Sequence, residues 1–243
     1  MDGLPSSLSG LALDEERGVL ELPPLVALFL LDQFSIEHEY DFDSLNGGNW
    51  LHALERNRIN VGKVSVYDSV TVHFVSPTDP EGRRGGQLKE IIRVNPSYRG
   101  HARYDCVLVE TDEERPGMLG LHAAQVRLAF SCRANGRVFP CVLVHWFRRI
   151  SDTPDRDTGM WIVEPELCED QSPSLAVLHI DCIFRAAHLL PVFGEEPVPE
   201  GIDFTDSLQI YRRFFVNPYA DHHMHEILYD PDMVDGLDRA MEH

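Results

Sequence analysis

Between two runs of alternating apolar and polar residues stands the pair Asn135-Gly136, and no other feature restricts the chain as tightly. Both residue types tolerate the positive φ that a two-residue hairpin turn demands. Ala124, Val126, Leu128, Phe130 and Cys132 precede the pair, alternating with Gln125, Arg127 and Ser131, and Val138 to Phe147 follows it. The pattern predicts a strand over the first run with its five apolar residues on one face, and an antiparallel return strand over the second.

Other segments repeat the two-residue period. Val64, Val66, Val70, Val72 and Phe74 alternate with Ser65, Ser69, Thr71 and His73 and predict one half-buried strand. Tyr104 to Glu110, Met160 to Pro165 and Leu175 to Ile180 add three more. Short strands at short spacing predict a mainly β, β-rich α+β fold built on a small antiparallel β-barrel, placed at 61–192. Between the strands, PTDPEGRRGG over Pro77 to Gly86 reads as an exposed turn-rich loop.

Helical signals flank the β segments. Pro23 and Pro24 suit a helix start, with Leu25, Leu28, Phe29 and Leu31 at helical spacing behind them and an acidic connection from Glu37 to Asn49. This gives a flexible acidic lead-in at 1–21 and a helical adapter at 22–60. Toward the other end, a helical turn is expected over Asp181 to His188, and Thr205 or Asp206 is expected to cap a helix bearing Leu208, Tyr211, Phe214 and Phe215. A helical extension at 193–229 would pack on the barrel and an acidic tail would occupy 230–243.

The longest apolar run, Leu22 to Leu31, falls short of the roughly 20 residues of a membrane helix, and the N-terminus lacks the basic flank of a secretion signal. No membrane partner is expected, and the expected location is intracellular and nuclear. Cys106, Cys132, Cys141, Cys168 and Cys182 form no CxxC and no doublets, so neither a zinc framework nor a disulfide scaffold is supported. They read as core thiols of a reducing compartment.

Net charge is −19, which repels phosphate overall. The charge is segregated: Arg83 to Arg149 holds 12 basic and 6 acidic residues, whereas the remainder holds 9 against 34. Acidic flanks pairing with a basic middle would explain this, and so would an arginine face for phosphate or an acidic partner. Arg83, Arg84, Arg93, Arg99, Arg103, Arg148 and Arg149 are the candidate contacts. Tyr104, Trp146, Phe147 and Trp161 stand in or beside predicted strands, either as core and rim or as an aromatic cage for a cation.

Catalytic patterns are sparse. There is no GxSxG elbow and no phosphate-cradling GK[ST] loop. Asp221, His222, His225 and Glu226 fall four apart in pairs on a helix, a spacing at which imidazole and carboxylate could hold Zn²⁺ or Fe²⁺, or else a solvated polar surface. No cofactor is implied.

Five segments occur in order, within a similarity that covers 22–229: VYDSVTVHFVSPTDPEG, RVNPSYRGHARYDCVLVETDEERPGMLGLHAAQVRLAFS, FPCVLVHWFRRISDTPDRDTGMWIVEP, LAVLHIDCIFRAAHLLPVFG and FFVNPYADHHMHEI. Together they resemble the C-terminal region of the Plavaka transposase-like proteins, products of CACTA-related DNA transposons in mushroom-forming fungi. The resemblance implies a basidiomycete source and a transposon-derived chain. It further implies an RNase H-like catalytic domain upstream, so that no catalytic carboxylate transfers to a residue here and the chain is expected not to be an enzyme. More distantly, YDCVLV, HAAQVRLAFS, VLVHWFRRI, MWIVEP and LHIDCI are similar in order to the bromo-adjacent homology barrel, a chromatin-binding module. The expected function is therefore an accessory module that binds chromatin, DNA or protein. Packing on a transposase catalytic domain, or a metal-dependent enzyme using 221–226, are the alternatives.

Overall fold

A computed structural model describes residues 22–34, 42–45, 49–75, 87–194, 201–203 and 206–228. In chain order, α1 (Leu22–Gln33), α2 (Phe42–Leu45) and α3 (Asn49–Arg56) precede β1 (Val61–Tyr67), β2 (Ser69–Val75), β3 (Gln87–Tyr98), β4 (His101–Tyr104) and β5 (Cys106–Glu110). There follow β6 (Leu121–Ala134), β7 (Arg137–Arg149), β8 (Trp161–Pro165), β9 (Leu175–His179), β10 (Ile183–Ala187), β11 (Leu189–Pro191), α4 (Ser207–Ile210), β12 (Phe214–Val216) and α5 (His222–Leu228).

The β6–β7 hairpin is the spine. Asn135 and Gly136 take φ of 48° and 81°, and pairing runs from Ala134↔Arg137 to Ala123↔Phe147. The register slips between Val126 and Leu128, a bulge at Arg127. One extra residue reverses which side chains face which way. Ala124 and Val126 therefore join Ala129 on one face, while Leu128, Phe130 and Cys132 lie on the other. The five apolar residues do not share a face, contrary to the alternation in the sequence.

The bulge also divides the spine into two halves with different neighbours. Toward the turn, β6 pairs with β1 and β7 with β9, and α1 covers this half. Leu22, Val26, Ala27 and Leu30 are fully buried, and Phe29 and Phe34 meet Phe139 edge-on at 6.0 and 5.9 Å. Packed between the strands and α3, α1 is apolar on nearly all sides and shares one core with the sheet. Each large side chain buried there contributes roughly 1.5–3 kcal/mol. The expected acidic connection from Glu37 to Asn49 includes α2 and the first residue of α3.

Away from the turn, the spine enters a nearly closed antiparallel barrel of order β10-β5-β6-β7-β8-β12-β11. Only His188 separates β10, which pairs with β5, from β11, which pairs with β12. One bent run of chain thus joins both ends of the sheet. Asn217 fastens the bend, donating its backbone N–H to the His188 carbonyl at 2.9 Å.

A second sheet, β2-β3-β4, lies over the spine and buries Val72, Ile92 and Val94 against Val107, Val126 and Val144. The run from Val64 to Phe74 is not one strand: it breaks at Asp68, whose carbonyl accepts from Val94 N–H at 2.8 Å, and its halves join different sheets. Tyr104 to Glu110 breaks likewise at Asp105. The helical turn expected over Asp181 to His188 is confined to a 3₁₀ turn at Ile180–Cys182, and the rest of that segment forms β10. The helix expected from residue 205 or 206 shrinks to the single turn α4. Phe214 and Phe215 instead form β12, because Phe214 is wholly buried in the barrel against Phe147 at 5.9 Å. Tertiary burial overrides the helical spacing there. Of the cysteines, Cys106, Cys132 and Cys141 are buried, Cys182 is half-buried and Cys168 is exposed, so Cys168 is not a core residue. Among the described residues no helix is long and apolar enough to cross a membrane.

Candidate functional site

β3 and β4 form a two-stranded ribbon through Val94↔Tyr104, Asn95↔Arg103 and Tyr98↔His101. Its turn is Arg99-Gly100, with φ of 51° and 92°, the pair of positive values that matches the twist of the strands. Pro96, Ser97, Arg99, Gly100 and Ala102 are exposed at this tip. Three guanidiniums gather on one ring: Arg93, Arg99 and Arg103 stand 5.3, 5.3 and 5.2 Å from the Tyr98 centroid. His101 meets the same ring edge-on at 6.2 Å.

Asp105 organises the base of the ribbon. Its Oδ1 accepts from Arg103 Nε at 2.7 Å and its Oδ2 from the Arg93 backbone N–H at 2.8 Å. That hydrogen bond holds the Arg103 guanidinium above its ordinary pKa range. Among the described residues the side chains of Arg93 and Arg99 have no carboxylate partner, so of the three guanidiniums only that of Arg103 is paired. Beside them, Arg127 lies 5.3 Å from the Tyr104 centroid and donates to Gln125 Oε1 at 3.1 Å. Buried Gln125 donates in turn to the Tyr104 carbonyl at 3.3 Å. The bulge that reverses the spine thus adds a fourth arginine beside the ribbon.

The other candidate arginines are placed differently. Arg148 contacts Glu164 at 2.5 Å and shares it with Arg213 at 3.4 Å. Arg149 donates to the Met118 carbonyl and lies over Trp161 at 5.9 Å. Burial, then the charge of Arg115, lowers its pKa from the usual arginine value. Arg83 and Arg84 lie outside the described residues.

The structure does not bring the four candidate aromatics together. Phe147 and Trp161 are buried in the barrel core with Phe214, whereas Tyr104 and Trp146 pack on the opposite face with the valines under the second sheet. The histidine segment is engaged locally. Asp221 caps α5 by accepting from Met224 N–H at 2.8 Å, and His222 Nε2 lies 3.1 Å from Glu226 Oε1. His225 faces Tyr219 at 5.9 Å. Among the described residues no group of three His, Cys, Asp or Glu is placed to hold a metal ion. Burial, with the nearby charge of Asp105, pushes the Cys106 thiol up to about 12, leaving it protonated and unreactive at neutral pH.

Sequence reasoning missed two features. Tyr98, the hub of the arginine cluster, sits in RVNPSYRG, where Asn95-Pro96 and Arg99-Gly100 mask a long strand with loop chemistry. Arg185 was also hidden. Only 2% exposed, it donates to Glu90 Oε1 and Asp221 Oδ2, both at 2.6 Å, and lies 4.4 Å from the Phe74 centroid. The signal was an arginine inside the apolar run of β10. Glu90 also accepts from Ala186 N–H at 2.7 Å, so this group ties β2, β3, β10 and the start of α5 together and seats the ribbon.

The fold and the cluster define a β-barrel protein with an exposed cationic ribbon. No family model, no curated protein and no solved structure matches the chain.

Proposed function

We propose that this chain is a non-catalytic DNA-binding module that holds phosphates on the β3–β4 ribbon. The supporting observation is the convergence of Arg93, Arg99 and Arg103 on Tyr98, where among the described residues only Arg103 is paired with a carboxylate, that of Asp105. Like charges so placed repel one another, and an anion at the tip relieves that repulsion. Guanidinium groups suit phosphate because their forked donors match its oxygens. The net charge of −19 repels phosphate over the molecule as a whole, so contact with it is confined to this locally basic ribbon. The resemblance to transposase-like proteins is in keeping with DNA as the partner, the barrel acting as a rigid mount.

Titration of fluorescein-labelled DNA by anisotropy tests this. Saturable binding that weakens as salt rises, and that Arg99→Ala/Arg103→Ala removes, is the expected result. Undiminished binding by that double variant would place the site elsewhere.

A further inference from the structure

We infer that the ribbon takes duplex DNA by its phosphates without reading bases, and that Tyr98 is a positioning residue that holds the arginines in array; this rests on the reading just given. An aromatic ring on a nucleic-acid-binding surface ordinarily serves as a platform for an unstacked base. Tyr98 is poorly placed for that. Three guanidiniums lie within 5.3 Å of its centroid and His101 stands at its edge, so little ring surface is left for a base. Its electron-rich face acts inward, drawing together cations that arrive from β3, the turn and β4. Tyr104 repeats the arrangement beneath Arg127. Both tyrosines near the ribbon are thus engaged by arginine. What the tip offers a ligand is guanidinium. A two-stranded antiparallel ribbon also has dimensions that the major groove of B-DNA admits, placing its arginines between phosphate walls.

The experiment uses the full chain, a labelled 20-base-pair duplex, a duplex of scrambled sequence and the corresponding single strand, each at 50 and 200 mM salt. Duplex is expected to bind at least as tightly as single strand, and the two duplexes within about twofold of each other. With three phosphate contacts, affinity should fall about 40-fold between the two salt concentrations. Tyr98→Phe, which keeps the ring, should bind within about twofold of wild type. Tyr98→Leu removes no charge, yet should weaken both duplexes about fivefold and make the salt dependence shallower. If the leucine variant fails to fold, Tyr98→Thr, which favours strand, takes its place.

Two results would overturn the inference. Single strand bound tenfold more tightly than duplex, with Tyr98→Leu abolishing only that preference, would make Tyr98 a base platform. Wild-type duplex binding by the folded leucine or threonine variant would remove its positioning role. The Arg99→Ala/Arg103→Ala variant separates the two levels of the argument. If it loses binding while Tyr98→Leu does not, only this inference fails; if it binds as wild type, the ribbon is not the site.

Discussion

The arginines of the β3–β4 ribbon and those around Glu164 are equally conspicuous in the sequence, yet they have opposite surroundings. Arg93, Arg99 and Arg103 share a ring, and among the described residues Arg103 alone of the three is paired with a carboxylate, whereas Arg148 and Arg213 converge on Glu164 and Arg149 is bound to a carbonyl and to Trp161. Arg185 marks a third situation, buried between Glu90 and Asp221. A count of charges treats all of them alike. The difference teaches that an arginine is available to a partner only to the extent that its own chain leaves it uncompensated.

The sharpest way to break this ordering is at its buried end. Arg185→Met should cost about 1–3 kcal/mol in urea unfolding, because Glu90 and the partly exposed Asp221 are left without their cation. Adding Glu90→Gln should restore part of the loss; a loss below about 1 kcal/mol in the single variant would mean that the group is no more than a surface pair. Next in size is the ribbon, where the effect lies in binding rather than stability. Arg99→Ala/Arg103→Ala should remove saturable DNA binding while lowering the unfolding free energy by at most about 1 kcal/mol. The cluster at Glu164 should do the reverse on a smaller scale. Its arginines are 65% and 56% exposed, so Glu164→Gln should cost at most about 1 kcal/mol and leave DNA affinity unchanged.

A pH titration sharpens the contrast further. Burial alone would raise the Asp221 carboxyl, but hydrogen bonds from Arg185 and the Met224 N–H, with the charge of Arg185, hold it below the usual carboxylate range. Because the folded value lies below the unfolded one, this contribution is complete above about pH 4 and is lost as pH falls through the folded value. Asp221→Asn should therefore flatten the stability curve below about pH 4, read by thermal melts across pH. His145 acts at higher pH. Burial holds its imidazole below the ordinary histidine value, as it does that of His122, so their contribution is lost as pH falls below about 6.5, and His145→Gln should reduce that earlier slope.

Most of the spine was legible in the sequence, for a local reason. Asn135-Gly136 dictates its turn without help from the rest of the chain, and Trp161 to Pro165 and Leu175 to His179 carry β patterns strong enough to stand alone. Where the reading failed, a distant contact decided. The bulge at Arg127 leaves no mark on the alternation, yet it exchanges the faces of Val126 and Leu128. Phe214 and Phe215 have helical spacing behind Leu208 and Tyr211, and only the open flank of β8 makes them a strand. The site was legible as residue types and not as an arrangement. Arg93, Arg99 and Arg103 were candidates from charge, but their grouping depends on β3, a strand whose Asn95, Pro96 and Ser97 read as loop. Likewise Arg148 and Arg149 were indistinguishable from them until Glu164, Met118 and Trp161 came into place.

The bend at His188 has a consequence in time. Barrel closure needs β10, β11 and β12 together, and β12 ends at Val216. During synthesis the spine, β5 and β8 emerge first, and the wall between β5 and β8 stays open until the last of these strands has left the ribosome. At about 5–20 residues per second, the stretch from β8 to β12 takes a few seconds to appear. The edge of β5 therefore waits for β10 and that of β8 for β12, so the β8 edge is the one longest open to mispairing.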